Sequence, residues 1–207
     1  MLRIVSMTLL CLALFASIAS AAIEITPMAG YRVGGSMDLK ELNEDGTETV
    51  TTIDFVDGAS TAIAIDFNIQ DDKQIELFWS HKKSELGERD AAEKIDLDVD
   101  YIHIGGTVLY LQHDFPLVPY IVGGLGATIF SPDSDEYESE TRFSLSLGGG
   151  LRYFPFEHIG LRAEGRAYGT FFPDNSALFC RNGNCKVYMD GDAIVQFEGL
   201  AGLIVRF

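Results

Sequence analysis

The 207-residue chain is 47% hydrophobic, carries 21 glycines and has a formal net charge of −16. That glycine content excludes a helical bundle and suits one β-rich domain. The negative charge excludes nucleic acid as a partner, because a basic surface is what neutralises phosphates.

Met1 to Ala21 reads as a separate segment. Arg3 supplies a positive start, Met7 to Ile18 an apolar run, and Ala19-Ser20-Ala21 a small-residue cleavage site, the layout of a secretory signal peptide. The run falls short of the roughly 20 residues that a membrane helix needs. Cys11 follows Leu9 and Leu10 rather than small residues, so it is not read as a lipoprotein cysteine. The expected organisation is a cleaved leader over 1–21 and one domain over 22–207. After Ala22 no apolar run is long enough for a helix to span a bilayer. Any membrane crossing must therefore use a closed sheet.

Period-two patterns then follow in order. In Ile23–Gly34, Ile23, Ile25, Ala29, Tyr31 and Val33 share one face, with Glu24, Thr26, Met28, Gly30 and Arg32 opposite. Pro27 cannot donate a ladder hydrogen bond, so an irregularity is expected beside it. A polar stretch, Gly35 to Gly58, leads to a strand over Thr61–Ile69, a tight turn at Gln70–Lys73, and a strand over Gln74–Lys82. After a second polar stretch, Ile95–Leu111 has ambiguous parity. Its apolar residues are odd at Leu97, Val99 and Tyr101, then even at Ile102, Ile104, Val108 and Tyr110. Either a bulge sits near Tyr101, or the strand projects beyond the membrane; the second is favoured, because Ile102 to Tyr110 alone meets the span of about 9–11 residues.

A short Pro-containing turn, Gln112 to Pro119, precedes the glycine-rich strand Tyr120–Phe130. An acidic loop then leads to the strand Arg142–Tyr153, a turn at Pro155–His158, and the strand Ile159–Phe171. A long loop, Phe172 to Asp192, precedes the last strand, Ala193–Phe207. There Phe197, Gly199, Ala201, Leu203, Val205 and Phe207 oppose Gln196, Glu198, Gly202 and Arg206, with Leu200 and Ile204 as apolar exceptions on the polar face. The total is eight strands, with long and short connections in strict alternation. Bacterial membrane barrels have an even strand number, short periplasmic turns and longer outer loops. Aromatics at both ends of the strands fit two interfacial girdles. The reading is all-β: an eight-stranded antiparallel up-and-down transmembrane β-barrel.

The segments ITPMAGYRVGG, PYIVGGLGATIF, RFSLSLGGGLRY, LFCRNGNC and QFEGLAGLIVRF resemble the small eight-stranded outer-membrane β-barrel proteins of Gram-negative bacteria. The resemblance spans the mature chain and is one of pattern. It implies an outer-membrane location, with lipid and lipopolysaccharide as surroundings. It also implies a closing strand, marked by Phe197, Leu203, Val205 and the final Phe207, that the barrel-assembly machinery reads. It implies no reaction, since such barrels include structural proteins, adhesins, pores and a few lipid-modifying enzymes.

The face turned from lipid collects Glu24, Arg32, Asp66, Glu76, Arg152, Arg162, Glu164, Arg166, Glu198 and Arg206. In an eight-stranded lumen these charges are expected to pair and block a water path; a gated pore or proton path is the alternative. Arg162 and Arg166 are expected to share Glu164 and Glu198. His81 should meet lipid while Ser80 points inward, and His103 should face the lumen as a satisfied polar residue, so no Ser-His-acid set emerges. Cys180 and Cys185 flank an Asn-Gly turn signal and read as a local disulfide in an oxidising compartment.

The acidic stretches, with Asp38, Glu41, Glu44, Asp45 and Glu48 in one and Asp133, Asp135, Glu136, Glu138 and Glu140 in another, are a solvated surface or a site for divalent cations. They lack the ligand spacing of a dedicated calcium loop. The expectation is a monomeric, non-enzymatic barrel without cofactor or resident metal, structural or surface-interacting in role. A narrow pore and an outer-leaflet lipid-modifying enzyme remain open.

Overall fold

A computed structural model describes residues 22–42, 48–87, 95–111, 116–132, 139–172, 176–181, 184–189 and 193–207. These form twelve strands: β1 (Ile23–Gly34), β2 (Ser36–Leu42), β3 (Glu48–Phe55), β4 (Gly58–Gln70), β5 (Lys73–Gly87), β6 (Ile95–Leu109), β7 (Leu117–Pro132), β8 (Glu140–Tyr153), β9 (Ile159–Phe171), β10 (Ser176–Arg181), β11 (Asn184–Met189) and β12 (Ala193–Arg206). Eight of them make a closed antiparallel wall in the order β1-β4-β5-β6-β7-β8-β9-β12, with β12 returning to β1. They are the eight strands expected from the sequence. Closure leaves no wall strand with an unpaired edge, which is what hydrocarbon demands of a sheet.

The register fixes the shape. Cross-strand partners starting at Glu24 run through Asp66, Glu76, Gly105, Gly124, Ser146, Tyr168 and Gln196, and return to β1 at Gly34, ten residues along. A shear of ten on eight strands, with strands about 4.8 Å apart and a rise of about 3.3 Å per residue, sets a tilt of about 40°. That tilt gives a lumen that side chains can fill. In β9, Arg162, Glu164, Arg166, Tyr168 and Thr170 are buried, while Leu161 and Ala163 are exposed. Leu147 on the outer wall is 70% exposed and Glu24, Arg32 and Asp66 inside are 0% exposed. An apolar exterior around a charged interior is stable only with lipid outside.

The wall departs from the sequence reading in particular places. On β6 there is no bulge, and its pairing with both neighbours runs unbroken from Leu97 to Val108. Leu97, Val99, Tyr101 and His103 are all buried on the inner side. The apparent parity switch arises because the outer end of the lumen is itself apolar. Leu200 and Ile204, the exceptions in the closing strand, are buried inside as well. Pairing between β1 and β12 skips Thr26 and Pro27 without changing register, as the missing donor of Pro27 requires.

Two of the expected loops contain strand pairs of their own. In Gly35 to Gly58, β2 pairs with β3, and β3 joins the upper end of β5 at Asp54↔Gly87 and Phe55↔Leu86. Gly34 and Gly35 make the turn out of β1 at φ 82° and 95°, a region that favours glycine. In Phe172 to Asp192, β10 pairs with β11. Asp38, Glu41 and Glu48 therefore lie on strands, and Glu140 opens β8. Glu44, Asp45, Asp133, Asp135, Glu136, Glu138 and the whole leader lie outside the described residues.

Candidate functional site

All ten lumen charges expected from the sequence project inward. They are five acids and five arginines, so this set is neutral, and the excess negative charge of the chain lies elsewhere. The shear lifts each strand relative to the next and stacks them in tiers. At the short-turn end, Glu24 accepts from Arg206 Nε at 2.8 Å and Gln74 Nε2 at 3.0 Å, and pairs with Arg152. Arg206 lies over the Phe154 ring at 4.0 Å and is partly open at the rim.

Above this tier, Arg162 spans the lumen. From β9 it donates to Asp66 on β4 (3.0 Å), Glu76 on β5 (2.6 Å), Glu164 beside it (2.5 Å) and the Tyr120 hydroxyl on β7 (2.8 Å). Arg166 shares two of these acids, at 2.7 Å to Glu76 and 2.6 Å to Glu164, and covers the Phe78 ring at 3.7 Å. Buried ions are tolerated when each is paired and hydrogen-bonded in this way.

Glu198 departs from the expectation. Although directly across from Arg166 in register, it accepts from Arg32 at 3.2 Å, Ser80 at 2.9 Å and the Tyr168 hydroxyl. Arg166 is engaged with Glu76 and Glu164, leaving Glu198 to the tier above. Arg32 also lies over the Tyr101 ring at 4.7 Å, and Tyr101 stacks on Tyr168 at 4.0 Å. An apolar cap of Val99, Leu97, Phe130, Phe172 and Ile194 closes the outer end, with Phe55 of β3 laid 6.1 Å from Phe130. Sequence reasoning missed this cap, since an apolar inward face mimics an outward one.

His103 does face the lumen, with Nε2 2.8 Å from Ser144 Oγ, but its Nδ1 has no hydrogen-bond partner among the described residues. Gly126 makes room for it, because a Cβ there would lie 2.7 Å from the imidazole. His81 points outward and Ser80 inward, as expected. Asp100, which the sequence did not single out, joins His81: Nδ1 is 3.0 Å from Asp100 Oδ1, and Trp79 Nε1 donates to the same oxygen at 3.0 Å.

The β10–β11 register sets Cys180 directly opposite Cys185. The disulfide remains a proposal, carried by that pairing and an oxidising compartment. Non-reducing peptide mapping is expected to recover the two linked. A Cys180→Ser/Cys185→Ser protein should insert normally and lose protease resistance only between residues 172 and 192; recovery of both as free thiols would refute the link.

Phe207 lies on the outer face, 72% exposed, and its N–H donates to the Ile23 carbonyl at 2.9 Å across the closing seam. Phe197, Leu203 and Val205 share that face. We propose that this face guides assembly. Deleting Phe207 is then expected to cut the heat-modifiable, folded fraction sharply while synthesis continues, and unchanged folded levels would contradict the assignment.

A closed eight-stranded barrel, apolar outside and ion-paired within, defines an integral outer-membrane β-barrel protein. The family model for the outer membrane protein beta-barrel domain matches residues 7–189, and the chain belongs to that family. Its fold is similar to Neisserial surface protein A (16% identity, TM-score 0.60, covering 90% of this chain and 99% of that one). It is also similar to OprG from Pseudomonas aeruginosa (12%, 0.62, 90% and 96%) and to AlkL in lipid bilayers (13%, 0.59, 90% and 90%). Comparison with curated proteins finds no match. The family and these folds place the chain in the cell outer membrane, with its short turns at the periplasmic side.

Proposed function

We propose that this protein is a non-conducting barrel with a structural or surface-interaction role, which holds the hairpins β2–β3 and β10–β11 at the cell surface. The observation that carries this reading is Arg162, whose guanidinium links β9 to acids on β4 and β5 across the lumen. An ion moving through would have to break several of these pairs at once, and breaking one buried pair costs about 3–5 kcal/mol. The pair His103–Ser144 is buried in the lumen, out of reach of a lipid substrate, which supports a role without chemistry.

One observation favours the narrow-pore alternative. Near the periplasmic end, Thr26 Oγ1, Thr107 Oγ1, Asp66 Oδ1 and Arg152 Nε lack partners among the described residues, and buried polar atoms of this kind recruit water. Planar-bilayer recording separates the readings. The purified protein is expected to give no long-lived conductance, and a large stable channel would sink the closed-lumen proposal.

A further inference from the structure

On the outer wall, Thr61 of β4, His81 of β5 and Asp100 of β6 are successive cross-strand partners and share one row. Trp79, the only tryptophan, lies below on the same face; its ring is 6.1 Å from the imidazole and 25° from parallel. Lys83 and Asp98 form the next pair above. Carried around the barrel by its shear, the level of His81 meets Tyr31, Leu145 and Phe197. The exposed apolar residues Val33, Phe143, Phe171 and Val195 stand higher still. The polar row is therefore a notch cut into the apolar belt, at the depth where the acyl chains of the outer leaflet meet their headgroups. Ionisable groups facing lipid carry a cost and mark a functional site.

We propose that this notch binds the sugar headgroup of an outer-leaflet glycolipid, lipopolysaccharide, through its hydroxyl groups. The hydrogen-bonding inventory points that way. Asp100 Oδ2 accepts, and where Nδ1–H is given to Asp100 and the ring carries no charge, Nε2 of His81 accepts beside it. Phosphate, which only accepts, finds no donor in these two acceptors and its charge is opposed by the Asp100 carboxylate; a sugar hydroxyl donates to both. Thr61 adds a hydroxyl at the β4 end of the row, Lys83 adds a donor in the pair above, and Trp79 offers an aromatic edge at the interface. The order hydroxyl, imidazole, carboxylate also suggests acyl transfer, but β5 is paired on both sides throughout this stretch. Its backbone N–H groups are spent in the ladder and cannot form an oxyanion hole. The site does not depend on whether the lumen conducts, so its failure leaves that reading untouched.

The test uses the full-length mature protein in nanodiscs that contain phospholipid alone or phospholipid with purified lipopolysaccharide. Wild-type protein is expected to retain lipopolysaccharide and to shift its Trp79 emission saturably as lipopolysaccharide is added. His81→Ala and Asp100→Asn should each weaken retention about tenfold, the loss of one hydrogen bond to the headgroup. Thr61→Val should weaken it less, and Leu145→Ala, at the same height on another wall, not at all. Heat-modifiable mobility shows that each variant is folded. Retention in His81→Ala equal to wild type would overturn the proposal. So would loss of binding when only the phosphates of the lipopolysaccharide are removed, or the appearance of lipid lacking an acyl chain.

Discussion

Glu164→Ala is expected to destabilise the refolded barrel by about 3–5 kcal/mol, the range for removing one partner from a buried ion pair. Glu164 holds Arg166 through one oxygen, and through the other it holds Arg162 and the Tyr120 hydroxyl. Truncation leaves Arg166 with Glu76 alone and Arg162 with two acids in place of three. The surplus charge has no solvent to retreat to, since both arginines are about 2% exposed. Glu164→Gln keeps an acceptor in place and should cost distinctly less. Urea unfolding in detergent, followed by Trp79 emission and gel mobility, gives both values. If Glu164→Ala unfolds at the wild-type midpoint, the tier is not what holds the lumen together.

The wall was legible in the sequence because two constraints repeat at every second residue. Lipid rejects charge outside, and a narrow lumen admits polar side chains inside, so Arg162, Glu164 and Arg166 could be assigned inward from β9 alone. Pairing was less legible. Glu198 faces Arg166 across a single ladder, yet the acids on β5 and on β9 itself engage that arginine, and a ten-residue shear cannot be read from one strand. Where the contrast between lipid and lumen fades, so does the signal. The segments that form β2–β3 and β10–β11 alternate too weakly to show strands. Asp96, Asp98 and Asp100 alternate with Leu97, Val99 and Tyr101 in the inverse sense to the span below. On β6 that inversion marks where the apolar belt is interrupted, and it hid Asp100 as the partner of His81.

Ala163→Arg is expected to abolish most insertion, while Ala163→Leu leaves it unchanged. Ala163 is exposed on the outer face of β9, flanked in register by Ala201 of β12 and Leu151 of β8. It sits within the apolar belt, where an arginine costs roughly 2–4 kcal/mol near the bilayer midplane. Among the described residues no acid lies beside it on that face: the neighbouring charges Arg162 and Glu164 point the other way into the lumen, and the strand alternation keeps them there. A leucine adds only apolar surface to a wall already covered by lipid. The measurement is the heat-modifiable fraction after folding into phospholipid vesicles, compared for the two variants. The contrast isolates charge from bulk, because both side chains are far larger than alanine. Equal yields would mean that this face of β9 does not meet hydrocarbon, and the inside and outside of the barrel would have to be exchanged.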